Sequence, residues 1–117
     1  MTGYKKSIGA WGEDIACQFL VGRGVTVIAR NVRTPYGEID LIGRQGETTL
    51  FVEVKTLTSR QEFLPEDNIT ARKREHMIAC AEYYAADQKI DHWQIDVISI
   101  EGKPGSTPIV THFENAI

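Results

Sequence analysis

Cysteine, histidine and proline are scarce in this chain: two, three and four residues among 117. Cys17 and Cys80 stand far apart, and neither has the paired spacing of a zinc site or a nearby histidine for nucleophilic chemistry. Both are expected to be reduced and buried. His76, His92 and His112 are equally scattered. No serine elbow and no phosphate-binding glycine loop occurs, so the common hydrolase and nucleotide-binding signatures are missing.

Long apolar runs are missing too. The N-terminal stretch is broken by Gly9, Gly12, Glu13 and Asp14, so it cannot serve as the apolar centre of a signal peptide. No later segment approaches the roughly 20 residues of a membrane span. A cytoplasmic protein without membrane contact is the expectation.

Positive charge is short as well. The formal net charge is -3, which argues against a protein that simply coats nucleic acid, because phosphate binding is driven by Lys and Arg. The charge is nevertheless uneven: residues 1–74 hold eleven basic against nine acidic side chains, and residues 75–117 hold two against seven. If several carboxylates of the basic half converge on a divalent cation, a phosphate meets a more positive field than the count implies.

What remains is an ordinary globular composition, 42% hydrophobic and 25% charged. The length suffices to bury one core and falls short of two, so a single domain over 1–117 is expected.

Ile8, Trp11, Ile15, Ala16, Phe19 and Leu20 recur at helical spacing between Ser7 and Gly22, which predicts an amphipathic helix ended by Gly22 and Gly24. Short β-branched stretches follow at 24–30 and 38–42, separated by the turn signal Thr34-Pro35-Tyr36-Gly37. A second turn at 43–46 leads into the strand 48–55. From Thr56 to Asn68 periodicity is lost around Pro65, which predicts a long loop suited to mobility or function. Thr70 caps a helix reaching about Ala86, a fourth strand covers 93–100, and 108–113 adds a fifth. The expected fold is α/β, a mixed sheet flanked by helices in the order α-β-β-β-α-β-β.

Strand side chains alternate, so Glu53 and Lys55 project together with Phe51, opposite Leu50, Val52 and Val54. By the same rule Asp40 leaves its strand opposite Ile39 and Leu41, in the company of Glu38 and Ile42. The turn at 43–46 makes these strands neighbours, so Asp40, Glu53 and Lys55 can meet. Two converging carboxylates suit Mg²⁺ or Mn²⁺, which prefer hard oxygen ligands, and a lysine beside them can position or deprotonate a water. That set fits phosphodiester hydrolysis. Glu13, on the flank of the first helix, is placed to complete such a site. Each residue also has a plain structural reading: Glu53 with Lys55 as a same-face ion pair, Asp40 as a turn cap, Glu13 as solvated.

The segment 30–42, ending Gly37-Glu38-Ile39-Asp40-Leu41-Ile42, and the later Phe51-Val52-Glu53-Val54-Lys55 resemble the YraN-like family of small bacterial proteins. The likeness extends to Gly12-Glu13-Asp14-Ile15-Ala16 and Arg72-Lys73-Arg74. That family is regarded as a predicted-endonuclease branch of the PD-(D/E)XK superfamily, similar to archaeal Holliday-junction resolvases. The resemblance implies a restriction-endonuclease-like core, with the metal-binding acids on Asp40 and Glu53, the lysine on Lys55 and the helix-one glutamate of resolvase-like members on Glu13. Many relatives place an arginine two residues beyond that lysine. This chain has Thr56-Leu57 instead, so a phosphate contact there is not carried over.

Further contacts to nucleic acid are expected from Arg30 and Arg33 beside the site and from Arg72, Lys73 and Arg74 opening the second helix; a solvated charged face is the plain alternative. Trp11, Phe19, Tyr84 and Trp93 sit at core-compatible positions and are expected to pack inside. The expectation is therefore a Mg²⁺-dependent endonuclease acting on DNA, with branched or junction DNA implied by analogy. A two-fold junction would call for a homodimer. The rival reading is a catalytically silent nucleic-acid or protein binding module on the same fold.

Overall fold

The computed structural model describes residues 2–57 and 70–117, with side chains from residue 8 onward. Helix α1 (Thr2–Gly22) is followed by β1 (Thr26–Thr34), β2 (Gly37–Gln45), β3 (Thr48–Leu57), α2 (Ala71–Gln88), β4 (Trp93–Glu101) and β5 (Ile109–Phe113). The order α-β-β-β-α-β-β is as expected.

The strands form one sheet in the order β1-β2-β3-β4-β5. All neighbours are antiparallel except β3 and β4, which run parallel with Glu53 opposite Val97 and Lys55 opposite Ser99. A parallel pair needs a crossover, and α2 lies in that connection.

Each face of the sheet buries its own cluster. Ala16 and Leu20 of α1 pack on Leu41, Leu50, Val52, Ile98 and Ile100. Cys80, Ala81 and Ala85 of α2 pack on Ile39, Ile42, Phe51 and Ile95. The small side chains on α2 let that helix approach the sheet closely. Truncating a fully buried residue such as Leu41 to alanine would cost about 2–5 kcal/mol. Trp11, Phe19, Tyr84 and Trp93 all pack against one or the other cluster, as their positions predicted. Cys80 is buried, whereas Cys17 is only half-buried; both are free thiols.

Element ends differ from expectation where backbone pairing outruns side-chain pattern. The first helix starts at Thr2 rather than Ser7. β1 continues past Arg30 to Thr34, because its polar residues still pair with β2 through Arg33↔Glu38 and Thr34↔Gly37. β2 runs through Gly43 and Arg44, and the turn is the shorter Gly46-Glu47, with Gly46 at φ 61°. β3 reaches Leu57 because Thr56 and Leu57 still pair with Ile100 and Glu101. The rest of the loop predicted from Thr56 to Asn68 lies outside the described residues.

The C-terminal strands are tied by a buried polar cluster on the face that α1 covers. Asp96, fully buried, accepts hydrogen bonds from Gln94 Nε2 at 2.8 Å and from the Asn115 N–H at 2.8 Å, and its Oδ2 lies 2.7 Å from His112 Nε2. The His112 ring stands edge-on to Phe19 of α1, 5.9 Å between centroids. Every oxygen of Asp96 is thereby paired, while His112 Nδ1 is buried without a partner among the described residues, and these bonds pin β4, β5 and the residues after β5 to one another.

Candidate active site

The sheet opens at the point where the predicted carboxylates lie. β2 and β3 are paired from Gln45↔Thr48 as far as Leu41↔Val52 and no further. Beyond Leu41, β2 keeps only β1 as its partner, so the β1–β2 hairpin tip peels away from β3. The Val54 N–H, left without a strand partner from β2, donates instead to Asp40 Oδ2 at 2.8 Å. An aspartate thus replaces a backbone carbonyl at the fork.

Alternation is interrupted at the same place. Ile39 packs in the α2 cluster and Leu41 in the α1 cluster, although they are two residues apart. Asp40 therefore does not simply oppose both of them, as strict pleating would require. Its cross-strand counterpart Asn31 has φ 51°, outside the β region, and the ladder skips the Asn31/Asp40 pair. This local irregularity redirects the Asp40 carboxylate toward β3.

β3 itself keeps strict alternation, with Leu50, Val52 and Val54 toward α1 and Phe51 toward α2. Glu53 and Lys55 consequently share the α2 side, as predicted. Glu53 lies close enough to Asp40 to act on its ionisation. Burial pushes the Asp40 pKa from its ordinary 3.8 up to about 8, and the neighbouring Glu53 charge adds to this; the Val54 N–H works in the opposite direction, and Glu13 contributes a smaller upward push.

Glu13 reaches the site because α1 comes down tightly on β3. A Cβ at Gly12 would collide with the Thr56 hydroxyl, so glycine lets the helix sit this close with Thr56 undisturbed. Glu13 is itself mostly buried, 19% exposed, with Arg30 Nη2 at 3.7 Å. Arg30 lies nearer to Asp14, at 2.9 Å, and that hydrogen-bonded carboxylate holds the guanidinium pKa above its usual value. Arg30 is thus engaged with α1.

The remaining basic residues divide. Arg33 extends from the hairpin into solvent, with Glu38 at 4.0 Å and its side chain 90% exposed. At the start of α2, Thr70 caps the helix by accepting from the Lys73 N–H at 3.1 Å. The Lys73 side chain turns inward, placing Nζ 2.8 Å from Glu53 Oε1. Arg72 and Arg74 are exposed.

Between the hairpin tip and the first turns of α2 lies a cleft of about 380 Å³. Glu53, Glu38 and Tyr36 line it from the sheet side, and Arg72, Lys73 and His76 from the helix. Sequence reasoning missed Tyr36 and His76. Their only signal was the turn dipeptide and a helical stripe, and neither reveals that turn and helix face one another.

Among the described residues no group of three or more His, Cys, Asp or Glu side chains is arranged to hold a metal ion. Asp40 and Glu53 supply two oxygen-donor carboxylates. That donor set fits Mg²⁺ or Mn²⁺, which are bound through one or two carboxylates while keeping several waters. The raised Asp40 proton affinity has the same origin: two carboxylates share a partly dry site with too little positive charge, and a divalent cation would supply it.

The GEIDLI and FVEVK segments that carry Asp40, Glu53 and Lys55 lie within the part of the chain that a known family model covers. The profile described as "Uncharacterised protein family UPF0102" matches residues 12–100. A UPF0102 protein of Nocardia farcinica is 40% identical over 97% of this chain and 91% of its own length. One from Syntrophotalea carbinolica is 36% identical over 99% of this chain and 95% of its own, and one from Dehalococcoides mccartyi 37% over 86% and 85%. Matched along nearly all of its length by such relatives, the chain belongs to the uncharacterised protein family UPF0102.

Proposed function

We propose that this protein is a divalent-metal-dependent endonuclease of the PD-(D/E)XK type, hydrolysing phosphodiester bonds in DNA. The observation that carries the reading is the fork between β2 and β3, where Asp40 Oδ2 is fixed 2.8 Å from the Val54 N beside Glu53, with Lys55 one pleat further on the same side of β3. One acid on β2 and Glu-x-Lys on the neighbouring β3 are the residues to which the resemblance assigns the metal ligands and the lysine, and the fork brings the acid beside Glu53.

Asp40 and Glu53 would hold Mg²⁺ or Mn²⁺, which when bound would polarise a phosphoryl oxygen and lower the pKa of an attacking water. Lys55 orients that water and takes part in removing its proton. Glu13, near enough to Asp40 to act on its ionisation, would assist in orienting water. Lys73, with Nζ 2.8 Å from Glu53 Oε1, neutralises that carboxylate and would compete with a cation for it, leaving its ammonium free for phosphate where a cation took its place. Arg72 and Arg33 extend the positive surface around the cleft.

Branched DNA is the substrate class suggested by the likeness to junction resolvases. Cleaving both sides of a two-fold junction would engage two copies of the chain.

The competing reading is a binding module on the same fold. Mn²⁺ titration followed by electron paramagnetic resonance separates the two: the nuclease reading expects binding that collapses in Asp40→Ala, with DNA cleavage that needs the added cation. DNA binding with no metal binding would favour the module.

A further inference from the structure

Tyr36 and Tyr83 are large side chains left in solvent, 55% and 44% exposed. They come from elements far apart in sequence, the β1–β2 turn and the middle of α2, yet they meet. Their rings stand at 68° with centroids 6.2 Å apart. In such an edge-to-face pair neither ring covers the outer face of the other, so aromatic surface stays open.

The Tyr36 ring is carried on a constrained turn. Its N–H donates to Thr34 Oγ1 at 3.1 Å, and that hydroxyl donates to the Gly37 carbonyl at 2.9 Å and touches Cys80 Sγ at 3.3 Å. Gly37 has φ 141°, and a Cβ there would lie 3.4 Å from the same sulfur. The turn is therefore seated on α2, and Tyr36 forms one wall of the cleft that also holds Glu53, Arg72, Lys73 and His76. On α2, residues 76, 80 and 83 follow at helical spacing on the side facing the turn.

Resting on the nuclease reading, we infer that this cleft takes an unpaired nucleotide next to the cleaved phosphate, its base stacked on Tyr36 and its phosphate met by Arg72, Lys73 and His76. The two halves of a nucleotide need a π face and a cation, and the cleft offers both, with Glu53 and Glu38 as the carboxylates of its lining. In a duplex each base face is already covered by its neighbours, so stacking on protein rings selects single-stranded, flapped or splayed DNA over continuous duplex. Tyr83 buttresses Tyr36 and extends the platform.

The test is fluorescence anisotropy with the full chain carrying Asp40→Asn, which removes cleavage, against labelled single-stranded, flapped and blunt duplex DNA of one sequence. The expected result is that Tyr36→Ala weakens binding of the single-stranded and flapped DNA by about tenfold, the scale of one lost base–ring stack, and leaves blunt duplex binding unchanged. Tyr36→Phe, which keeps the ring, retains the wild-type preference. Unaltered affinity of Tyr36→Ala for flapped DNA, an equal loss on all three DNAs, or no binding of unpaired DNA at all would overturn the inference. The two proposals fail separately: Mg²⁺-dependent cleavage with no effect of Tyr36→Ala removes the stacking site alone, and Tyr36-dependent binding without cleavage removes the nuclease alone.

Discussion

Asp40 Oδ2 accepts the Val54 N–H at 2.8 Å across the point where β2 and β3 part company. That single bond fixes one acid of the proposed metal pair and closes the backbone gap that the fork would otherwise leave.

The first prediction concerns pH. Burial, with the Glu53 charge, lifts the Asp40 pKa from 3.8 to about 8. Between those values the folded state keeps a proton that the unfolded chain has released, so the stability Asp40 contributes is full below about pH 4 and is lost as pH rises through 8. The slope is at most about 1.4 kcal/mol per pH unit, reduced to the extent that water reaches the site. In EDTA, thermal unfolding should show wild type falling relative to Asp40→Asn as pH rises from about 5 to about 8, with Mn²⁺ restoring wild type alone. Parallel curves for the two proteins would contradict the assigned environment of Asp40.

A second prediction follows from the Lys73 Nζ, 2.8 Å from Glu53 Oε1. The ammonium competes with a divalent cation for the same carboxylate. The lysine side chain is 38% exposed, so the pair is worth no more than a surface ion pair, about 0.2–1 kcal/mol. Lys73→Met should therefore tighten Mn²⁺ binding by a factor of about 1.4–5 while weakening DNA binding. Isothermal titration reads the first effect and anisotropy the second; changes of the same sign would refute the exchange of partners.

The Gly12 contact makes a third. A methyl at this position meets the Thr56 hydroxyl, so in Gly12→Ala either Thr56 turns its hydroxyl away or α1 lifts from β3 and draws Glu13 from Asp40. Overpacking of this kind costs about 1–3 kcal/mol. The pairing is specific: Gly12→Ala combined with Thr56→Ala should recover most of the loss in chemical denaturation, and additive losses would contradict it.

How much of this was legible in the sequence depends on how local each feature is. The element order follows from short-range periodicity and turn residues, and the common direction of Glu53 and Lys55 from a strand whose pleating is regular throughout. The direction of Asp40 was not legible by the same rule, because the pleat breaks at Asp40 and Asn31, and an asparagine in the left-handed region does not announce itself in a string of letters. Lys73 against Glu53 and Tyr36 against Tyr83 join a helix to a strand and a turn, and such meetings are decided only when the layers pack. Asp96 with His112 is of the same kind: a histidine that looks scattered in sequence becomes the buried partner of a carboxylate on the adjacent strand.

The most direct test of the nuclease reading is cleavage of a labelled panel of linear duplex, single-stranded, flapped and four-way-junction DNA with Mg²⁺ or Mn²⁺, comparing wild type with Asp40→Ala and Lys55→Ala. Wild type is expected to cut at least one member of the panel only when the cation is present, with both variants folded and silent. Folded wild type that cuts nothing with either cation, or cleavage that persists in Asp40→Ala, would contradict that reading.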